Sequence, residues 1–313
     1  MASGSWSLST SLLFLVLVVC WGLNYPFVNV GLSHASPLWL ATLRAGIGAL
    51  ATLVVVTGFR GWGTLDRAGR RDALLLGVPN TAVFFGLWFW AAGSVLPGIA
   101  AVVIYTFPLW VALLSPSFLG ARLGPRHWVS VAVGFVGVAL ISQLGAAGGS
   151  RISIEAIVLL LAAAIAWAIG TVLFQRRFRP AQMLEANAYQ LIGGAVALGA
   201  ATLVGAPTPL PTVDGSLLES VVWLGLLGTA AAYAIWFWLL GRTPAATLSA
   251  YVFLVPVVAL AASVAYFGER LSLLQVAGVG LVLVSIYGIG RARTQPAGPG
   301  HGPVAGGPDP DGP

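Results

Sequence analysis

Residues 76–90 read LGVPNTAVFFGLWFW and residues 224–238 read LGLLGTAAAYAIWFW. One unusual segment thus occurs twice at a single offset, with Leu76/Leu224, Gly77/Gly225, Thr81/Thr229, Ala82/Ala230, Trp88/Trp236, Phe89/Phe237 and Trp90/Trp238 coinciding without a gap. Tryptophan supplies only 12 of the 313 residues, so the aromatic matches exceed what composition alone gives. The chain carries an internal duplication.

The same offset pairs Gly93 with Gly241, Pro108 with Pro256, Ser115 with Ser263, Gly120 with Gly268, Arg122 with Arg270 and Leu123 with Leu271. A shift of two residues pairs Trp21 with Trp167, Arg44 with Gln190 and Gly48 with Gly194. The duplication therefore runs through both halves of the chain.

With 58% hydrophobic and 8% charged residues, and a mean hydropathy of +0.93, this is the composition of an integral membrane protein. Apolar runs separated by glycine, proline, arginine or short polar stretches place helices near 10–32, 38–58, 72–93, 97–119, 127–144, 153–175, 184–205, 217–241, 244–267 and 271–290. Such runs have the length of membrane-spanning helices, and the short alternating segments of a membrane β-barrel are absent. The first run has no positive n-region and no small-residue cleavage site, so it is expected to be retained as a helix.

The fold class that follows is an all-α integral membrane protein of ten transmembrane helices. An odd number of spans per copy makes the second copy enter the membrane from the opposite side, so the halves form two inverted five-helix repeats. Residues 1–9 form a short N-terminus, 10–145 the first repeat and 153–290 the second; 291–313, rich in proline and glycine, read as a disordered tail.

Arginines follow alternate helices: Arg60, Arg67, Arg70 and Arg71, then Arg122 and Arg126, then Arg176, Arg177 and Arg179, then Arg242, Arg291 and Arg293. By the positive-inside bias these loops and both termini face the cytoplasm of a multi-pass plasma-membrane protein. The formal charge of +6 is thus explained by orientation, and nucleic acid is not an expected partner. The partners are the lipid bilayer and a small-molecule substrate; oligomeric state is left open. Cys20 is the single cysteine and the three histidines are scattered, which supports neither a disulfide nor a metal site.

Inverted repeats are the hallmark of alternating-access carriers, with a site between the halves near the midplane. Arg44 is the only arginine deep in an expected span, and a charge there costs roughly 2.5–3.5 kcal/mol unless it meets water or a partner. It either contacts an anion or ties down backbone carbonyls. Gln190, at the equivalent place, can hydrogen-bond without charge. Asn24 stands beside Pro26 in WGLNYPF and either repairs freed backbone groups or faces substrate. Trp21 and Trp167 are candidates for paired cavity walls.

Thr81, Phe85 and Trp88 share one face of an α-helix, as do Thr229, Tyr233 and Trp236. Those faces line a cavity or pack helices, whereas Trp90 and Trp238 suit an interfacial belt. Pro108 and Pro256 are expected to kink their helices as hinges, with Tyr105 and Tyr251 nearby. Gly134, Gly193 and Gly194 read as close-packing sites. Glu155 and Glu185 lie near helix starts and are expected to be shallow. No constellation of nucleophile, base or paired carboxylates points to an enzyme, and no cofactor is called for.

Trp21, Gly22 and Asn24 in a W-G-x-N motif, Arg44 after Pro37, the matched Pro108 and Pro256, and FGERLSLLQVAG at 267–278 together resemble the EamA-type family of the drug/metabolite transporter superfamily. The resemblance covers about residues 10–290. It implies a five-plus-five inverted repeat and a plasma-membrane carrier, commonly an exporter of amino acids, related metabolites or drugs. A multidrug carrier is the alternative within the superfamily, and a membrane scaffold or sensor the alternative outside it. Two departures stand out. The family's G-E-R-L loop survives as Gly268-Glu269-Arg270-Leu271 but is Gly120-Ala121-Arg122-Leu123 in the first half, and Asn29 stands where the family often has a basic residue.

Overall fold

Helices start where the chain offers a cap or a proline. Ser7 accepts from the Thr10 amide at 3.2 Å, Asp66 from Gly69 at 2.7 Å and Asp214 from Leu217 at 2.8 Å, each satisfying an orphan N–H of a first turn. Pro37 and Pro125 open their helices, where a missing N–H costs nothing. Asp66 and Asp214 occupy equivalent places in the duplicated sequence, so the repeat extends to its capping residues. Gly120 ends its helix at φ +63°, a left-handed conformation that glycine adopts without a Cβ clash.

A computed structural model of the chain describes residues 7–58, 61–94, 100, 103–142, 154–205, 209–267 and 273–292. Among these residues there are helices and turns and no β-strand. The helices are α1 (Leu8–Leu32, interrupted at Leu23), α2 (Pro37–Gly58), α3 (Arg67–Ala92), α4 (Phe107–Leu119), α5 (Pro125–Ser142), α6 (Ile154–Arg177), α7 (Met183–Val204), α8 (Gly215–Leu240), α9 (Ala245–Tyr251 continued by Leu254–Phe267) and α10 (Leu273–Arg291). Expectations placed on Arg60, the Gly268–Leu271 loop, Arg293 and the C-terminal tail fall outside the described residues.

Among the described residues, α1, α2, α3, α6, α7 and α8 carry six segments that are long and apolar enough to cross a membrane; the apolar stretches of α4, α5, α9 and α10 are shorter, at 10–17 residues. Exposed aliphatic side chains such as Leu50, Val54, Val196, Leu203 and Val284 face outward, as a hydrocarbon solvent requires. This is a multi-span membrane protein.

The packing pairs the two halves. α2 lies on α7 and α5 on α10; α3 contacts α6 and α7 as α8 contacts α1 and α2; α4 packs on α6 as α9 packs on α1. Glycine permits the closest of these approaches. A Cβ on Gly77 of α3 would stand 2.5 Å from the Gly194 backbone nitrogen and overlap the Gln190 carbonyl, and one on Gly193 would overlap the Leu74 carbonyl. Small residues that let backbones meet are the main source of helix association in lipid, where apolar surface gives no drive of its own.

Two irregularities recur in both halves. α3 contains a π-helical segment at Val78–Val83 and α8 one at Trp223–Ala231. In the first, Pro79 has no N–H to give; in the second, the Thr229 hydroxyl donates to the Leu224 carbonyl at 2.8 Å. Turns at Tyr105–Thr106 and Val252–Phe253 interrupt the chain just before Pro108 and Pro256. Both prolines therefore sit in the first turn of a new helical piece, where the N–H would be unused. The break lies before each proline instead of a kink at it.

Candidate functional site

α2 carries Arg44 into the middle of the molecule, where it is 1% exposed. Its Nε donates to Thr229 Oγ1 at 2.9 Å and its Nη2 to the Gly228 carbonyl at 3.1 Å, both in the π segment of α8. Among the described residues Nη1 has no hydrogen-bond partner. The guanidinium lies over Phe85 at 4.2 Å from the ring centroid, with Trp88 at 5.2 Å and Phe89 at 5.6 Å, a cation–π shelf that partly replaces lost hydration. Among the described residues no carboxylate pairs with it. The structural tie read from the sequence is thus present, and one N–H pair is left over.

The equivalent crossing joins α3 to α7. Thr81 Oγ1 donates to Gln190 Oε1 at 3.4 Å, and Gln190 Nε2 donates to Asn187 Oδ1 at 3.1 Å. The glycines follow the same symmetry: a Cβ on Gly48 would press on Thr229, and one on Gly194 on Thr81. The asparagines obey it with their roles exchanged. Asn24 of α1 sets its Oδ1 against Gly228 of α8, and Asn80 of α3 sets its Oδ1 against Gly170 of α6. In the aligned halves Asn24 corresponds to Gly170 and Asn80 to Gly228. Both Oδ1 atoms are buried without a conventional donor, so glycine Cα–H groups are their neighbours.

A small cavity of about 40 Å³ opens beside Arg44, room for a few waters in this conformation and below the usual range of small-molecule sites. Seven residues expected from the sequence line it: Trp21, Asn24, Arg44, Trp88, Tyr105, Trp167 and Tyr233. Trp21 and Trp167 meet edge to face at 6.0 Å, as expected of cavity walls. Four further lining residues, Tyr25, Phe84, Ile104 and Phe107, escaped the sequence reading. Tyr25 follows the break at Leu23, Phe84 follows the π segment, and Ile104 and Phe107 flank the turn before Pro108. Uniform α-helical spacing does not find such positions.

The remaining expected residues lie elsewhere. Thr229 and Phe85 hold Arg44 from behind. Trp236 forms part of the aromatic cluster under the cavity, 5.4 Å from Trp21 and 6.0 Å from Trp167. Thr81 and Gln190 face each other across the α3–α7 seam and do not line the cavity, because the π segment gives Thr81 a different direction from Trp88. Tyr251 is half-buried and packs its ring on Phe14 at 6.1 Å, away from the lining. Trp90 and Trp238 are 51% and 36% exposed, in keeping with an interfacial belt. Glu155 and Glu185 both lie in the first turn of their helices, as expected; Glu155 is exposed, whereas residues 61–72 fold over Glu185 and bury it fully.

The EamA-like transporter family model matches residues 8–143 and again residues 154–291. A Salmonella typhimurium protein named a "probable amino-acid metabolite efflux pump" is 31% identical over 286 residues, covering 88% of this chain and 92% of that protein. The Escherichia coli K12 inner membrane transporter YedA is 30% identical, covering 86% and 87%. The Bacillus subtilis transporter YvbV is 26% identical, covering 88% and 90%. A solved crystal structure shares the fold with a TM-score of 0.75 at 21% identity, over 90% of this chain and 98% of its own. Duplicated helices, a buried cavity between them and these matches lead to one assignment: the chain belongs to the EamA-like transporter family.

Proposed function

We propose that this protein is a secondary carrier that works by alternating access and exports small amphipathic metabolites, amino acids or related solutes, across the plasma membrane. In this reading ten helices span the bilayer as two inverted repeats, 10–145 and 153–290, with both termini and the arginine-rich loops in the cytoplasm. The exchange of packing partners between halves and the double match of the family model support it. The names of the efflux-pump relatives supply the solute class.

One observation carries the solute chemistry: Arg44 lines the cavity with its Nη1 unmatched. A buried cation with an unused donor favours a ligand that brings an anionic oxygen, since hydrogen bonds to charged groups are the strong ones. The surrounding rings of Trp21, Trp88, Trp167 and Tyr233 offer flat apolar walls for the rest of the solute. Arg44 therefore has two roles, tying α2 to α8 through Nε and Nη2 and receiving a carboxylate through Nη1.

Counterflow in proteoliposomes tests the carrier. Flux of a radiolabelled amino acid is expected to saturate and to accelerate when unlabelled solute is loaded on the far side. Flux that grows linearly with concentration and ignores trans solute would mean a channel.

A further inference from the structure

At the arginine-rich end the first half is strapped to the second through a buried carboxylate. Glu185, near the start of α7, is fully buried, and its Oε2 accepts from the Thr64 amide at 2.7 Å, the Thr64 hydroxyl at 2.6 Å and the Leu65 amide at 3.1 Å. Arg70 Nε stands 3.7 Å from Oε1. Two further crossings fasten the same strap: Gln182 Nε2 donates to the Thr64 carbonyl at 3.0 Å, and Arg177 Nε to Asp72 Oδ2 at 2.6 Å. Every crossing runs from residues 61–72 of the first half to the α6–α7 region of the second.

Beneath the strap the seam between α3 and α7 stays polar. Asn187, Gln190 and Thr81 follow Glu185 inward, all fully buried, and next to Thr81 the Asn80 carbonyl accepts from the cavity residue Tyr233 at 3.5 Å. Polar groups thus continue from the arginine-rich face to the cavity. The symmetry-related seam, α2 against α8, has Trp39 and Ala41 where this one has Glu185 and Asn187. Polar side chains that lose one another on opening regain water, so a polar seam separates at small net cost; an apolar seam would expose hydrocarbon surface.

We propose that the α3–α7 seam is the gated route between the cavity and the arginine-rich face, and that Glu185 is its latch. The carboxylate holds the strap closed and releases Thr64 and Leu65 each time the carrier opens to that side. This rests on the alternating-access reading given above. Glu185 is a positioning residue: it acts by holding the strap and touches no solute.

The test uses full-length protein with Cys20→Ser as background and Asn187→Cys as reporter under the strap. A membrane-impermeant maleimide is expected to label the reporter slowly with Glu185 present. With Glu185→Gln, which loses the charge, labelling should rise about tenfold, the effect of weakening one or two charge-assisted hydrogen bonds. Unchanged labelling in a Glu185→Gln protein that keeps its thermal stability overturns the proposal. Should that variant fail to fold, Thr64→Cys with Gln182→Cys, joined by a cleavable bifunctional thiol reagent, decides. Solute exchange should stop when the strap is joined and return on cleavage; exchange at the unjoined rate overturns the latch. The labelling arm needs no transported solute, so a failed latch and a failed carrier reading give different results.

Discussion

The two crossings at the centre of the molecule share a backbone plan and differ in chemistry. Arg44 meets Thr229 at 2.9 Å beside a cavity, whereas Gln190 meets Thr81 at 3.4 Å in a closed seam. Helix placement, the π segment and the facing glycine are common to both. The side chains differ, Arg44 against Gln190 and Trp39 and Ala41 against Glu185 and Asn187, and of the two central residues only Arg44 is among those lining the described cavity. The ends differ in the same sense. The arginine-rich end is held by the Glu185 strap, whereas the described contacts between the equivalent opposite loops are the Thr212 amide on the His34 carbonyl at 2.8 Å and His34 Nδ1 by Asp214 at 3.2 Å.

Forcing the crossings to become alike should have the largest effect. Gln190→Arg places a second cation in the α3–α7 seam with no carboxylate beside the position except the strapped Glu185. It should destabilise the protein by roughly 3 kcal/mol, read as a lower melting temperature in detergent, unless the new arginine captures Glu185 and opens the strap, which labelling would report.

The matched glycines come next. Gly77→Ala drives a Cβ into the Gln190 carbonyl and against the Gly194 nitrogen, both backbone atoms, whereas Gly225→Ala meets Cγ2 and Cβ of Ile47 at 2.5 and 2.7 Å, so a rotamer change alone does not clear it and α2 must shift slightly. We expect a loss of about 3 kcal/mol for Gly77→Ala and about 1–2 kcal/mol for Gly225→Ala, in the range of overpacked sites. Equal losses would mean that the seams are equally rigid.

Removing the hydroxyls gives a smaller contrast. Thr229→Val loses a bond from a charged donor and should cost about 2 kcal/mol, while Thr81→Val loses a long neutral one and should cost about 0.5–1 kcal/mol. The smallest effect is at the opposite end, where His34→Gln breaks a partly exposed pair and should shift stability by less than about 1 kcal/mol.

Much of this arrangement was legible in the sequence, because duplication preserves residue types at equivalent positions. Arg44 against Gln190, Thr81 against Thr229, and Trp21 against Trp167 are visible as matched pairs; in the structure Trp21 meets Trp167 directly, whereas Arg44 bonds Thr229 and Gln190 bonds Thr81. The misses share a cause. Tyr25, Phe84, Ile104 and Phe107 sit next to a helix break, a π segment or a turn, so extrapolating 3.6 residues per turn misdirects their side chains. Tyr251 packs on Phe14, away from the cavity, and the helix is interrupted at Val252–Phe253 instead of kinking at Pro256. Burial of Glu185 depends on how a polar loop folds back across the halves, and no local periodicity encodes that.

The central claim is that Arg44 reads an anionic oxygen in the cavity it lines. Calorimetric binding of a transported amino acid and of its carboxamide to purified protein tests it most directly. The wild type should prefer the carboxylate by at least about tenfold, consistent with a charge-assisted hydrogen bond, and Arg44→Gln should lose that preference while still binding the carboxamide. If Arg44→Gln keeps the wild-type preference for the carboxylate, the anion is read elsewhere and the assignment of the site is wrong.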